Sequence, residues 1–220
     1  MTTPTNSPSG KRHPGLDYET AATNSGRIEV SWLQYFRCYP TLPLLCAGGL
    51  VLAIVIYNIP GFLGIRDKNP FMIAAAVIGV AAFLGCKPKM SFVQAAMADG
   101  DTCPATIIDA DQEWIAVWAD MRSTPGGCVP AIKIMQIPLK RSGYQPTEDV
   151  RLTTVSTYYG EGASGNWDDL RPIPVICATT DKKQIVRSLL SVPANEWEAL
   201  KAGLQKVPKP YRVGLFFLEG

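Results

Sequence analysis

Histidine is almost absent from this sequence. The one residue of this type is His13, which lies in a polar N-terminal stretch. A Ser-His or Cys-His pair therefore cannot be assembled on a folded domain, and a zinc ion would lack imidazole ligands. The six cysteines include no C-x-x-C pair, and the three beyond the apolar runs are an odd number, which argues against a disulfide framework and favours a reducing compartment. These absences favour a non-enzymatic protein with no cofactor and no catalytic or metal-ligating residues.

Charge is also scarce, at 18% of residues against 47% that are hydrophobic. Residues 38–65 and 69–86 contain no charged side chain at all. A helix needs about 20 predominantly apolar residues to cross a bilayer, so both runs are long enough. We therefore predict membrane spans at about 41–60 and 69–86, joined by a short loop as a transmembrane hairpin.

The basic residues that flank these runs predict the orientation. Four of them lie outside the hairpin and two lie in its loop, which favours cytoplasmic termini: Arg27, Arg37, Lys87 and Lys89 against Arg66 and Lys68. We expect an integral protein of the bacterial inner membrane, with the lipid bilayer as its first partner. Residues 90–220 carry thirteen basic and fifteen acidic side chains, and this net charge of −2 argues against nucleic-acid binding.

Three regions follow from the pattern along the chain. Residues 1–26 are polar and predict a disordered tail, 27–89 an interfacial segment with the hairpin, and 90–220 a soluble α+β domain. Short β-branched and aromatic runs separated by turn clusters predict a small antiparallel β-sheet or partly open barrel. The prolines at 130, 138, 172 and 174 place strand ends at edges, PIPVICAT is predicted as a strand, and the closing PKPYRVGLFFLEG predicts a last strand.

Two helices are predicted near the C-terminus. The first is capped at Thr180 or Asp181, and the second begins after Val192. Each has an apolar stripe that we expect to pack against the sheet; the stripes are Ile185, Val186, Leu189 and Leu190, then Trp197, Leu200, Leu204 and Val207. Trp114 and Trp118 share one side of a strand and predict a core anchor, with an aromatic binding face as the alternative.

The stretch YYGEGASGNWDDL matches the dinucleotide-binding pattern G-x-G-x-x-G at Gly160, Gly162 and Gly165. That fingerprint must open a helix, but Pro172 and Pro174 forbid one of useful length, so we interpret the motif as a turn between strands. The best candidate contact on the domain is this loop, through Glu161, Asn166, Trp167, Asp168 and Asp169. A weak calcium site formed by its carboxylates is the alternative.

Three segments resemble an uncharacterised bacterial membrane-anchored family, known only as a domain of unknown function. They are CPATIID (103–109), GNWDDLRPIPVICAT (165–179) and VPANEWEALKAGLQKVPKPYR (192–212). The resemblance implies no activity. The architecture is also similar to that of NfeD-type membrane-anchored proteins with a small OB-like barrel.

Two hypotheses on function follow. The first is a membrane-anchored, non-enzymatic interaction or scaffold protein that binds a protein partner, associates with itself or belongs to a membrane complex. The second is a membrane-bound ligand- or metal-binding module, or an enzyme, that uses the carboxylates of the 160–170 loop.

Overall fold

The structure is a computed structural model that describes residues 11–12, 19–20, 26–62, 69–123, 128–161 and 165–218. The chain divides into two compact units. One consists of the residues up to Cys38 together with Gln94–Gly220, and the other of Tyr39–Val93. Most of the predicted tail 1–26 lies outside the described residues, apart from Gly26 and a short ladder between β1 (Lys11–Arg12) and β2 (Glu19–Thr20).

The larger unit is built around a six-stranded antiparallel sheet. Its order is β7-β6-β3-β4-β5-β8, with bounds β3 (Asp101–Asp109), β4 (Trp114–Asp120), β5 (Pro130–Gln136), β6 (Arg151–Glu161), β7 (Trp167–Pro174) and β8 (Gly214–Phe217). Its helices are α1 (Trp32–Cys38), α4 (Val175–Ala178), α5 (Lys182–Ser191) and α6 (Ala194–Lys206), with a short 3₁₀ turn, η1 (Lys140–Ser142). The predicted α+β class and the last strand, β8, are confirmed.

The sheet curls into a half-barrel, because the start of β7 returns to the end of β4. The Trp167 amide donates to the Met121 carbonyl at 2.8 Å, and the Ser123 amide donates to the Gly165 carbonyl at 3.1 Å. An isolated antiparallel bridge pairs Arg122 with Asn166 between these two bonds. The predicted partly open barrel is therefore present, and β7 is an edge strand that accommodates its prolines.

Helix α6 packs against strands β3, β4 and β5 and forms a hydrophobic core with them. Ala116, Ile132 and Ile134 from the strands meet Leu200 of the helix and Val207, which follows it, and all five are buried. Around them pack half-buried aromatic side chains, including Trp114, Trp118 and Trp197. The two strand tryptophans are core anchors, as their shared side of β4 predicts.

Two expectations for the C-terminal half are wrong. PIPVICAT is not one strand, because β7 ends at Pro174 and α4 begins at Val175. The stripe on α5 does not pack as a whole against the sheet, since Val186 is 51% exposed and Leu190 is 80% exposed. The residue that faces the sheet from the centre of α5 is Ser188, which is buried and shares a 2.6 Å hydrogen bond with Thr153 of β6.

The segment that precedes α1 is part of the larger unit. The amides of Gly26 and Ile28 donate to the carbonyls of Gly100 and Met97, each at 3.0 Å. Within α1, the buried Gln34 side chain donates to the carbonyls of Ser142 and Ile176 at 2.9 Å. Residues of the predicted interfacial segment are thus attached to the domain that follows the apolar runs.

The second unit contains α2 (Thr41–Phe62) and most of α3 (Asn69–Asp99). Within α2, the window Pro43–Pro60 has a mean hydropathy of 1.9 and is 11% buried, so this helix is long and apolar enough to cross a membrane. It is the one such helix among the described residues, and the apolar part of α3, Asn69–Ala81, is shorter. The structure therefore leaves the two-helix hairpin unconfirmed. Cys46 of α2 is disulfide-bonded, whereas the cysteine pattern of the sequence does not indicate a disulfide there.

Candidate functional site

The predicted loop residues lie at the junction of β6 and β7. Glu161 ends β6 and pairs with Trp167, the first residue of β7. Gly160 and Gly165 both have left-handed backbones, with φ of 64° and 72°, and Gly162 lies outside the described residues. A strand, not a helix, follows Gly165, so the motif is a hairpin connection and does not have the dinucleotide-binding form.

Asp169 is half exposed, and its carboxylate is paired with a residue of another strand. Its carboxylate forms an ion pair with Lys133 of β5 and accepts the Leu170 amide at 2.8 Å. The same Lys133 ammonium donates to the Leu170 carbonyl at 3.0 Å. Three strands lie between β5 and β7 in the order of the sheet. The contact between Lys133 and Asp169 therefore joins two strands that are close only because the sheet curls.

Asp168 faces the opposite way, because successive side chains alternate along a strand. It is exposed, and its carboxylate lies against Gly160, where a Cβ would come within 2.5 Å of Oδ2. Asn166 is half-buried and takes part in the bridge to Arg122, and the side chain of Glu161 is outside the described structure. The five predicted residues are neighbours in the chain, but the carboxylates of Asp168 and Asp169 do not converge on one point.

Trp167 contacts Tyr158, which belongs to a buried polar network that the sequence did not indicate. Its ring stacks on Tyr158, with centroids 6.1 Å apart and an interplanar angle of 26°. The Tyr158 hydroxyl donates to Asp101 Oδ2 at 3.0 Å and lies 3.8 Å from Cys103 Sγ. Burial raises the pKa of Tyr158 and of the Cys103 thiol well above their ordinary values. Both groups therefore stay protonated at neutral pH and act as hydrogen-bonding groups, not as nucleophiles.

Glu196, in the first turn of α6, is the one carboxyl group of the described residues with a strongly raised pKa. Its half-burial, and then the neighbouring carboxylates of Asp101 and Asp120, raise that pKa to about 7. The group consequently changes protonation near neutral pH. Among the residues that the structure describes, no cluster of three or more His, Cys, Asp or Glu side chains is placed to hold a metal ion.

A cleft of about 530 Å³ opens between α6 and the strands β3 and β6. Its aromatic walls are Trp197 and Tyr211, and the guanidinium of Arg151 lies 4.9 Å from the centre of the Trp197 ring. Lys201 adds a second cation, and Asp149 supplies the one carboxylate of the lining. The volume is in the range of small-molecule and side-chain pockets, and the lining suits an occupant with apolar surface and a negative charge.

Sequence reasoning missed this cleft because its lining comes from four separate parts of the chain. They are β3, the start of β6, helix α6 and the segment that precedes β8. Trp197 was predicted as core, and it does border the core cluster, but its ring also forms a wall of the cleft. The available signal was only the proximity of Trp197 and Lys201 on successive turns of one helix.

The fold and the cleft define a class: an α+β half-barrel covered by C-terminal helices. Residues 90–208 match the model of a family described as "Protein of unknown function (DUF3239)". That match covers more than half of the chain, so the chain belongs to the DUF3239 family, and the predicted resemblance to an uncharacterised family is confirmed.

The chain is similar to the solved structure of a protein from Corynebacterium diphtheriae described as "a putative membrane protein". It is 19% identical, the similarity covers 54% of this chain and 100% of that chain, and the TM-score is 0.45. No curated protein matches the chain.

Proposed function

We propose that this chain is a membrane-anchored interaction protein, whose half-barrel domain binds a protein partner at the cytoplasmic face of the bacterial inner membrane. The observation that carries the proposal is the surface of α2. Its large apolar side chains are more than half exposed on several sides of the helix, as at Leu44, Val51 and Ile54. A helix of this composition is stable in water only when it is covered, and lipid is the cover that its length fits.

The finer topology belongs to the same proposal. The apolar first part of α3 supplies the second span of a hairpin, and the excess of Lys and Arg outside that hairpin keeps both termini in the cytoplasm. The larger unit is then cytoplasmic, because its two parts precede α2 and follow the apolar part of α3 in the chain.

The cleft between α6 and the strands is the part of this domain best suited to a partner. Trp and Arg residues are enriched among those that contribute most to protein–protein binding, and Trp197 and Arg151 lie together there. A partner segment with an acidic and an apolar side chain would meet the two cations and the two rings.

Co-purification of the intact protein from membranes in mild detergent tests this function. We expect a stoichiometric partner, or the chain itself in a defined oligomer, and we expect Lys201→Glu to weaken that association at least tenfold. Ala202→Glu is the control, since Ala202 is exposed on the same helix and does not line the cleft. A chain that extracts without detergent would refute the anchor, and one that elutes alone as a monomer would refute the interaction module.

A further inference from the structure

Helix α5 presents an unusual outward face. Ser188 fixes the orientation of the helix, because its hydroxyl is bonded to Thr153 inside the domain. At 3.6 residues per turn, Val186 and Leu190 lie about 160° around the helix from Ser188 and so point directly away from the sheet. They are 51% and 80% exposed, in agreement with that geometry.

Positive charge surrounds this apolar pair. Lys182 and Lys183 lie about 120° and 220° around the helix from Ser188, which places one on each side of Val186. These residues, with Arg187, line a single open groove along the helix. Two acidic residues lie near this face: Asp181 caps the helix by accepting the Lys183 amide at 2.8 Å, and Glu29 lies beside Gln184. An apolar centre with basic flanks is typical of a helix that lies on an anionic membrane surface.

Helix α5 and the neighbouring α4 are also bonded to residues 27–31, which precede α1 in the chain. The Glu29 amide donates to Gln184 of α5 at 2.8 Å, Arg187 of α5 donates to the Arg27 carbonyl, and the Ser31 amide donates to the Ala178 carbonyl of α4 at 2.8 Å. Helix α2 begins at Thr41, and the intervening chain includes the seven residues of α1. Along the chain, residues 32–40 alone separate this bonded segment from the first residue of α2.

We propose that the outward face of α5, formed by Lys182, Lys183, Val186, Arg187 and Leu190, binds the anionic lipid surface of the bilayer in which the protein is anchored. This proposal rests on the membrane-anchored function proposed above. The basic side chains are attracted to an anionic surface, and the two apolar side chains add burial in the headgroup region. The contact would hold the half-barrel in one orientation on the membrane.

The test uses the full-length chain reconstituted into vesicles, with an environment-sensitive dye attached at Leu190→Cys in a Cys128→Ser background that removes an exposed thiol. Lipids that carry a quencher near the headgroup report contact. We expect at least twofold more quenching in vesicles with about 30 mol% phosphatidylglycerol than in phosphatidylcholine alone, and loss of the difference in about 0.5 M salt. Lys182→Glu with Lys183→Glu should abolish the difference, whereas a dye at Ala202→Cys on α6 should show none.

Two further readouts keep the proposal distinct from the anchor. A dye at Leu52→Cys of α2 should be quenched by lipids labelled deep in the acyl chains, in either vesicle. Quenching at residue 52 without lipid-dependent quenching at residue 190 overturns this inference alone, whereas no quenching at residue 52 overturns the membrane-anchored function. A dye at residue 190 that responds to an added protein or to a second copy of the chain, and not to anionic lipid, also overturns the lipid proposal.

Discussion

Gly160 offers the sharpest test of the β6–β7 connection. Its φ of 64° lies in the left-handed region, and an added Cβ would come within 2.5 Å of Asp168 Oδ2 and 3.0 Å of Asp168 Cβ. Gly160→Ala therefore incurs two separate costs. The left-handed backbone costs an alanine about 1–2 kcal/mol, part of which is offset by the lower entropy of the unfolded chain. The contact with Asp168 adds about 1 kcal/mol, because the exposed carboxylate can move but its Cβ cannot move far.

Two other glycines separate these costs. Gly143 also has a left-handed backbone, with φ of 84°, but no atom lies within 4 Å of its added Cβ. Gly214 has no positive φ, and its nearest neighbour would be 3.6 Å away. We expect losses in the free energy of unfolding of about 2 kcal/mol for Gly160→Ala, about 1 for Gly143→Ala and less than about 0.5 for Gly214→Ala.

Tryptophan fluorescence during urea unfolding in mild detergent measures these losses. All five tryptophans belong to the larger unit, so the signal reports that unit and not the apolar helices. The double variant Gly160→Ala with Asp168→Gly should lose about 1 kcal/mol less than the sum of the two single variants, because it removes the Asp168 Cβ and keeps the backbone cost. Equal losses at Gly160 and Gly143 would refute the contact, and a Gly160 variant as stable as the Gly214 variant would refute the left-handed turn.

Three further outcomes are expected from the same unfolding assay. The raised pKa of Glu196, about 7, means that the folded state holds a proton that the unfolded state releases above about pH 4.5. The free energy of unfolding should therefore fall as the pH rises from about 4.5 to 7, and Glu196→Gln should reduce this pH dependence. Lys133→Met removes the ion pair with Asp169 and should lower the free energy of unfolding by about 1–2 kcal/mol, less than for a fully buried pair because the carboxylate is half exposed. A loss below about 0.5 kcal/mol, as for a typical surface lysine, would mean that the ion pair does not stabilise the curled sheet. Tyr158→Phe removes the bond to Asp101 and should cost about 1–2 kcal/mol with the fold retained, and a neutral effect would contradict the buried network.

Local features of the domain could be predicted from the sequence, because neighbouring residues determine them. Asp181 is the predicted cap of α5 and does accept the Lys183 amide. The glycines of the β6–β7 connection do take positive φ where they are described, and Pro172 and Pro174 do belong to an edge strand. In each case one residue type has a conformational property that its neighbours cannot override.

The features that could not be predicted depend on residues far apart in the chain. Lys133 and Asp169 are separated by 36 positions, and nothing near either residue indicates the other. The period of α5 identified two faces, but not which of them meets the sheet. The hydrogen bond between Ser188 and Thr153 settles that choice, and it leaves the larger apolar side chains outside. Apolar stripes on helices usually pack in a core, which is the basis of the prediction for α5, and the basic residues beside this stripe are the signal that indicates an outward face.

The two proposed contacts of the domain lie side by side. The lining of a groove between α5 and α6 includes Leu190 of α5 together with Arg151, Trp197, Glu198 and Lys201. Leu190 belongs to the outward face of α5, and Arg151, Trp197 and Lys201 line the cleft. A membrane bound by α5 would therefore lie at the rim of the cleft, and the cations of both regions would act on the same anionic surroundings. A partner that reaches the cleft must then approach along the membrane or carry its own membrane anchor, which favours another membrane protein over a freely diffusing one.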